Sequence, residues 1–115
     1  MKILIVEDNE DSRTLLESSL SLSGYEVESA ENGVTALKKA LEHPPDLIIS
    51  DLLMPEMDGY ALCRKVRASD TLSDVPFVVY TATYTDPQDE KLAFDLGATR
   101  FLLKPMEIDK LLKEI

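Results

Sequence analysis

The sequence is poor in cysteine and histidine, with Cys63 and His43 the single residue of each type, and it has no tryptophan. One cysteine cannot form an internal disulfide, so a reducing, cytoplasmic compartment is expected. The same scarcity argues against a zinc site built from cysteine and histidine. Long apolar runs are also missing, and the first apolar stretch, residues 3–6, is followed directly by the acidic Glu7 and Asp8. No association with a membrane and no signal peptide are therefore expected.

Basic residues are scarce too: 12 lysines and arginines face 22 aspartates and glutamates, giving a formal net charge of −10. Such a surface repels phosphate backbones, so no direct binding of nucleic acid by this domain is expected. The chain has 115 residues, 44% of them hydrophobic. This length and composition fit a single domain over residues 1–115 with one core.

Short apolar stretches alternate with helical patterns along the chain. The stretches occupy residues 3–6, 25–30, 47–50, 77–80 and 100–103. Continuous apolarity, as in residues 3–6, is typical of strands that are covered on both faces, whereas residues 25–30 alternate weakly and predict an edge or near-edge strand. Alternating strands and helices favour right-handed crossovers and a parallel sheet. The sequence therefore predicts an α/β fold, a doubly wound (βα)5 three-layer sandwich of the flavodoxin-like type, with a five-stranded parallel sheet ordered 2-1-3-4-5.

Polar residues follow four of these strands. Glu7 and Asp8 follow the first, Asp51 the third, Thr81 closes the fourth and Lys104 follows the fifth. In an open parallel sheet, ligands bind beyond the carboxyl ends of the strands, between strands 1 and 3. Three neighbouring carboxylates repel one another unless a hard cation such as Mg²⁺ joins them.

The same set of residues suits phosphoryl transfer. An Asp51 carboxylate is a plausible nucleophile toward phosphorus. The Thr81 hydroxyl and the Lys104 ammonium can offset charge on the phosphoryl oxygens. Taken singly, Asp51 could be a turn residue, Asp8 a helix cap and Lys104 a surface lysine. The hypothesis rests on their convergence at one edge of the predicted sheet.

Several short segments together carry a family resemblance. They are Ile5-Val6-Glu7-Asp8-Asn9, residues 46–55 with Met57-Asp58-Gly59, Tyr80-Thr81-Ala82, Gly97-Ala98 and Phe101-Leu102-Leu103-Lys104-Pro105. In this combination they resemble the receiver domain of two-component response regulators, over essentially the whole chain.

The resemblance implies a role for each matching residue around the metal. Asp51 would be the phosphoacceptor, taking the group from a phosphohistidine on a sensor histidine kinase or a histidine phosphotransfer protein. Asp8 and Asp51 would bind Mg²⁺ or Mn²⁺ directly, and Glu7 would assist. The backbone carbonyl of Leu53 would be a further ligand.

The resemblance also implies a switch. Thr81 would move toward the phosphoryl group, Lys104 would pair with it, and Phe101 would turn inward. The Lys104-Pro105 peptide bond would be cis. The face formed by the fourth helix, fifth strand and fifth helix would then select an unknown output domain or protein, and it could also join two copies in a homodimer.

Three alternatives stay open from the residues. A small Mg²⁺-dependent phosphatase with an aspartyl-phosphate intermediate uses similar groups, but Asp51-Leu52-Leu53 lacks the second acid of the Asp-x-Asp motif typical of those enzymes. A phosphorylation-independent interaction domain usually lacks one key residue, and here all are present. A flavin-binding protein shares the predicted fold, yet residues 7–11 are acidic rather than a phosphate cradle.

Overall fold

The computed structural model describes residues 1–52, 54, 56–81, 87–104 and 106–114. Strands and helices alternate through them. In chain order they are β1 (Lys2–Val6), α1 (Glu10–Leu22), β2 (Glu26–Ala30), α2 (Gly33–Glu42), β3 (Leu47–Ser50), α3 (Gly59–Ala68), β4 (Phe77–Thr81), α4 (Pro87–Asp95), β5 (Arg100–Leu103) and α5 (Ile108–Glu114). None of the helices in these ranges combines the length and apolarity needed to cross a bilayer.

The strands form one parallel sheet in the order β2-β1-β3-β4-β5. This confirms the predicted doubly wound α/β fold. The chain leaves β1 toward one edge of the sheet and, from β3 onward, proceeds toward the other. Adjacent connections therefore diverge at the β1–β3 pair, and a crevice opens beyond the carboxyl ends of these two strands.

Helices cover both faces of the sheet, which explains the continuous apolar runs. Ile48 belongs to the core cluster under α2, α3 and α4, while the next residue, Ile49, belongs to the cluster under α1 and α5. Successive residues of a strand point to opposite faces, so a strand between two helical layers needs an apolar residue at nearly every position.

Helix α2 approaches the sheet through small residues. The spacing of Val34, Leu37 and Leu41 predicts its apolar face, yet Val34 and Leu41 are exposed. The buried residues are instead Gly33, Ala36 and Ala40. Short side chains let the helix backbone lie close to the sheet, so the larger residues fall at the margins of the contact.

Three helices begin after an asparagine or aspartate, residue types that favour the N-cap position and so predict a helix start from the sequence. Asn9, Asn32 and Asp58 each accept a hydrogen bond from the backbone N–H three residues later, at 2.8–2.9 Å. Such caps satisfy one of the open amide groups of the first turn. Asn9 and Asp58 therefore fix where α1 and α3 begin, directly after the segments that follow β1 and β3. Asp86 followed by Pro87 likewise predicts the start of α4, but Asp86 lies outside the described residues.

Arg67, near the end of α3, joins three parts of the chain. Its Nε donates to the Gly97 carbonyl at 3.0 Å, in the turn between α4 and β5. Its Nη1 donates to the Val75 carbonyl at 2.6 Å and, at 3.3 Å, to that of Ser73, both before β4. The planar guanidinium holds several donors in fixed directions, so one side chain can satisfy these separate carbonyls.

Candidate functional site

The register of the sheet explains why the predicted site residues meet. Val6 pairs with Ser50 in the β1–β3 ladder, so the residues that follow them, Glu7 and Asp51, emerge side by side. The Asp51 N–H donates to the Val6 carbonyl at 3.0 Å. On the other side, the N–H of Lys104 donates to the carbonyl of Thr81 at 2.8 Å. The four strand ends thus place their polar side chains around one point.

Asp51 accepts hydrogen bonds on both carboxylate oxygens. Its Oδ1 accepts from the Thr81 hydroxyl at 2.8 Å and from the backbone N–H of Leu52 at 2.6 Å. Its Oδ2 accepts from Lys104 Nζ at 3.1 Å. The Asp51 side chain is 11% exposed and Thr81 is fully buried. The carboxylate is therefore held in one orientation while part of it still faces the crevice.

Lys104 bridges two acids. Its ammonium pairs with Glu7 Oε2 as well as with Asp51 Oδ2. Glu7 is buried, and its Oε1 also accepts the N–H of Asn9 at 3.2 Å. Burying a carboxylate costs desolvation free energy. The attraction to the Lys104 ammonium offsets this cost for both Glu7 and Asp51.

Burial and pairing move the three pKa values in different directions. Burial raises the pKa of Glu7, and the neighbouring Asp51 raises it further against the opposing effect of Lys104. Burial alone would raise the pKa of Asp51, but hydrogen bonds with Glu7 and Thr81 and the charge of Lys104 outweigh it, so that pKa is lowered. Burial alone would lower the pKa of Lys104, but the bond to Glu7 and the charge of Asp51 raise it. Asp51 is therefore ionised at neutral pH, as a nucleophile must be.

Glu7, Asp8 and Asp51 together form an acidic cluster that could hold a metal ion. One carboxylate oxygen from each lies within 4.8 Å of the others. Asp8 is exposed, whereas the other two are buried or half-buried. All three offer oxygen, the donor that hard cations such as Mg²⁺ prefer, and exposure on the Asp8 side leaves room for water ligands. Leu53, whose carbonyl the resemblance adds as a ligand, lies outside the described residues.

Helix α3 begins directly behind Asp51. The Gly59 N–H donates to the Leu52 carbonyl at 2.9 Å. A Cβ at position 59 would lie 2.4 Å from the Asp51 carbonyl oxygen, well inside contact distance. Because Gly59 has no side chain, the backbone of Asp51 and Leu52 can lie against the start of α3.

The two residues assigned to a switch occupy different environments. Thr81 is bonded to Asp51, and Phe101 is half-buried against the core cluster on the α2–α4 side of the sheet. Pro105, and with it the predicted cis bond to Lys104, lies outside the described residues.

Two features of the site are missed by sequence reasoning. The Leu52 N–H donates to Asp51, a backbone contact that no side-chain pattern announces. Tyr80 is interpreted from the sequence as a packing residue, and it is buried as expected. Its hydroxyl, however, also contacts the backbone of Met106, beside Lys104. The hydroxyl on an apolar strand is the one signal that could have pointed to this contact.

Comparisons with known proteins agree with this geometry. The model of the family described as "Response regulator receiver domain" matches residues 3–115. The DNA-binding dual master transcriptional regulator RpaA of Synechocystis is 32% identical over 114 residues, covering 99% of this chain and 47% of RpaA. The chain thus spans about half the length of this curated relative.

Solved structures also resemble the chain. Chemotaxis protein CheY4 of Vibrio cholerae superposes with a TM-score of 0.93 at 36% identity, over 98% of this chain and 93% of CheY4. The receiver domain of sensor histidine kinase PA1611 of Pseudomonas aeruginosa gives a TM-score of 0.89 at 31% identity, over 98% of this chain and 92% of that domain. That structure has a magnesium ion coordinated in its active site cleft.

Proposed function

The chain belongs to the response regulator receiver domain family of two-component signalling, and from this premise we propose that it is a phosphorylation-controlled switch whose phosphoacceptor is Asp51. The observation that carries the proposal is the Asp51 carboxylate itself. It is ionised, partly exposed, and bonded at once to the Thr81 hydroxyl and the Lys104 ammonium. Receiver membership places the chain among signalling domains, and on this proposal its chemistry is confined to its own phosphoryl group.

The proposed reaction is an attack by an Asp51 carboxylate oxygen on the phosphorus of a partner's phosphohistidine. The new P–O bond forms as the P–N bond breaks, and the electron pair of that bond leaves with the imidazole nitrogen. The partner is a sensor histidine kinase or a histidine phosphotransfer protein. Lys104 offsets negative charge on the phosphoryl oxygens, and Thr81 can turn its donated bond from Asp51 to one of those oxygens.

The acidic cluster supports a role for Mg²⁺ or Mn²⁺. Glu7, Asp8, Asp51 and the Leu53 carbonyl would hold it, and a bound cation would supply positive charge for the phosphoryl oxygens. Addition of Mg²⁺ should raise the melting temperature by mass action. Asp8→Asn should remove most of that rise, whereas Asp11→Asn, on exposed α1, should keep it. An equal rise in both variants would argue against the site.

The proposed output is a change of the face made by α4, β5 and α5. Phosphorylation adds roughly 1.5 to 2 negative charges and strong acceptors. Thr81 would be drawn toward them, and the Phe101 ring would enter the space it leaves. Beryllofluoride, a mimic of the acyl phosphate, should shift the NMR signals of the Phe101 ring. Unchanged signals in the presence of bound mimic would refute the switch.

The same face is proposed to meet an output domain or protein, or a second copy of the chain. Leu92 of α4 and Leu103 of β5 are 45% and 50% exposed there. Sedimentation velocity with and without beryllofluoride, at several protein concentrations, tests for a homodimer. The net negative charge opposes direct contact of these residues with nucleic acid. A cytoplasmic location is proposed because the single cysteine, Cys63, cannot form an internal disulfide.

The central experiment is incubation with acetyl phosphate and Mg²⁺, followed by intact-mass measurement. The wild-type chain should gain one phosphoryl group that hydroxylamine removes. Asp51→Asn should gain none, and Asp46→Asn, which changes the aspartate at the other end of β3, should behave as wild type. A gain that survives Asp51→Asn would contradict the proposal. Continuous release of phosphate from simple phosphoesters would instead favour a phosphatase.

A further inference from the structure

Tyr80 lies in β4 next to Thr81 but serves the other face of the sheet. Its side chain is 8% exposed and belongs to the core cluster under α1 and α5, together with Leu102 and Met106. Adjacent residues of a strand point to opposite faces. The side chains of Tyr80 and Thr81 therefore lie on opposite faces of the sheet, both at the carboxyl end of β4.

The hydroxyl of Tyr80 contacts the chain just beyond Lys104. It accepts the backbone N–H of Met106 at 3.1 Å, and it lies 3.5 Å from the Met106 carbonyl oxygen, to which it donates a longer bond. Met106 stands in the segment between β5 and α5. A buried phenol normally finds a polar partner, and here that partner is the backbone two residues after the site lysine.

The ring of Tyr80 faces Lys104 as well. Lys104 Nζ lies 5.5 Å from the ring centroid, within the range of a cation–π interaction. The Lys104 segment is thus held at two backbone points, by the Thr81 carbonyl at residue 104 and by the Tyr80 hydroxyl at residue 106. The ring adds a third contact at the ammonium itself.

We propose that Tyr80 is a positioning residue for Lys104: its hydroxyl and ring hold the lysine segment so that the ammonium stays between Glu7 and Asp51. Lysine is a point charge on a flexible four-carbon stem, so its placement depends on how firmly its backbone is fixed. This inference rests on the proposed function, since it concerns the charge that meets the phosphoryl group.

The test compares two hydroxyl deletions in the same core cluster of the 115-residue chain. Tyr80→Phe keeps the ring and removes the bond to Met106. Tyr25→Phe changes a tyrosine of the same cluster at the amino end of the sheet. Phosphorylation of Asp51 by acetyl phosphate and Mg²⁺ should slow about fivefold to tenfold in Tyr80→Phe. It should change less than about twofold in Tyr25→Phe. Hydrogen exchange of the Met106 amide should quicken only in Tyr80→Phe.

A double-mutant cycle separates positioning from general damage. On a Lys104→Ala background, Tyr80→Phe should alter the rate by less than about twofold, because a positioning residue has no effect without the group it positions. If Tyr80→Phe slowed phosphorylation on the Lys104→Ala background as much as it does in the wild-type chain, the inference would be overturned. An unchanged rate in Tyr80→Phe alone would overturn it as well. If the wild-type chain gains no phosphoryl group, the proposed function fails; if it does and Tyr80→Phe matches it, only the role of Tyr80 fails.

Discussion

Strand β3 is flanked by two aspartates, and their surroundings differ. Asp46, before the strand, is exposed and accepts the backbone N–H of Lys2 at 2.8 Å. Asp51, after it, is 11% exposed and bonded to Thr81 and Lys104. Each end of the sheet also has a lysine beside a glutamate. At the amino end Lys2 Nζ lies 3.5 Å from Glu28, and at the carboxyl end Lys104 pairs with Glu7.

The difference lies in burial rather than in residue type. The side chains of Lys2 and Glu28 are 20% and 32% exposed, against 17% and 7% for Lys104 and Glu7. The two lysines are almost equally exposed, so the contrast lies in the glutamates: the Glu28 side chain keeps more contact with water than that of Glu7. A change of charge beside Glu7 should therefore alter the stability of the fold more than the same change beside Glu28.

The largest expected effect tests the backbone contact behind Asp51. Gly59→Ala should destabilise the protein by about 2 kcal/mol, because its Cβ would collide with the Asp51 carbonyl. The control is Gly24→Ala, at the amino end, where the added Cβ meets open space and only the left-handed backbone, at φ 96°, opposes it. That change should cost about 1 kcal/mol. Urea denaturation measures both, and an equal loss would remove the distinction between the two ends.

An effect of similar size is expected when the charge of the half-buried Lys104 is removed. Lys104→Met should lower the free energy of unfolding by about 2 kcal/mol at pH 7, because Glu7 and Asp51 lose the cation between them. Denaturant melts of the metal-free protein give this value. A gain in stability would mean that desolvation of the ammonium outweighs its pairing.

The pH dependence of stability isolates Glu7. Its pKa is raised on folding, so its contribution is complete below the unfolded value, near 4.5, and is lost as the pH rises through the folded pKa. Asp51, whose pKa is lowered, loses its contribution only below its usual value, and the raised pKa of Lys104 acts only in alkali. The stability of Glu7→Gln relative to wild type should therefore increase from pH 4.5 to neutrality.

Glu10→Gln, on the exposed first turn of α1, is the matched control for this titration. Its stability should run parallel to the wild type across the same range. Denaturant melts at closely spaced pH values supply both curves. A Glu7→Gln curve that is also parallel would show that burial of Glu7 does not govern its ionisation.

The smallest expected effect is at the amino end. Lys2→Met should change the free energy of unfolding by about 0.5 kcal/mol or less, since it removes one long, partly exposed ion pair with Glu28 and one bond to the His43 carbonyl. The effect should shrink further in high salt. A loss as large as that of Lys104→Met would break the contrast between the two ends.

Much of the fold could be predicted because it follows from local signals. β5 has the predicted bounds, and β1 and β2 differ from prediction by one residue at their starts. The order of the strands follows from their alternation with helices. The depth of each helix could not be predicted in this way. Leu41 is exposed and Ala40 buried, because the distance between helix and sheet depends on all the residues at the contact.

The meeting of Glu7, Asp51, Thr81 and Lys104 could be predicted from position alone, since each stands at the carboxyl end of a strand. The supporting contacts could not. The hydroxyl of Tyr80 contacts Met106, 26 residues away, and neither local sequence announces a contact over that separation. The close approach of Gly59 to Asp51 likewise depends on where α3 is packed.

Arg67 has a consequence for how the molecule opens. Its one guanidinium bonds to carbonyls in the segment before β4 and in the turn before β5. When that side chain is released, both segments lose a partner in the same event. The end of α3, the start of β4 and the α4–β5 turn should therefore behave as one cooperative unit of local unfolding, with similar opening free energies in native-state hydrogen exchange. Local unfolding of the α4–β5 turn should then be coupled to the end of α3 through Arg67, while the hydrogen bonds of Asp51 stay intact.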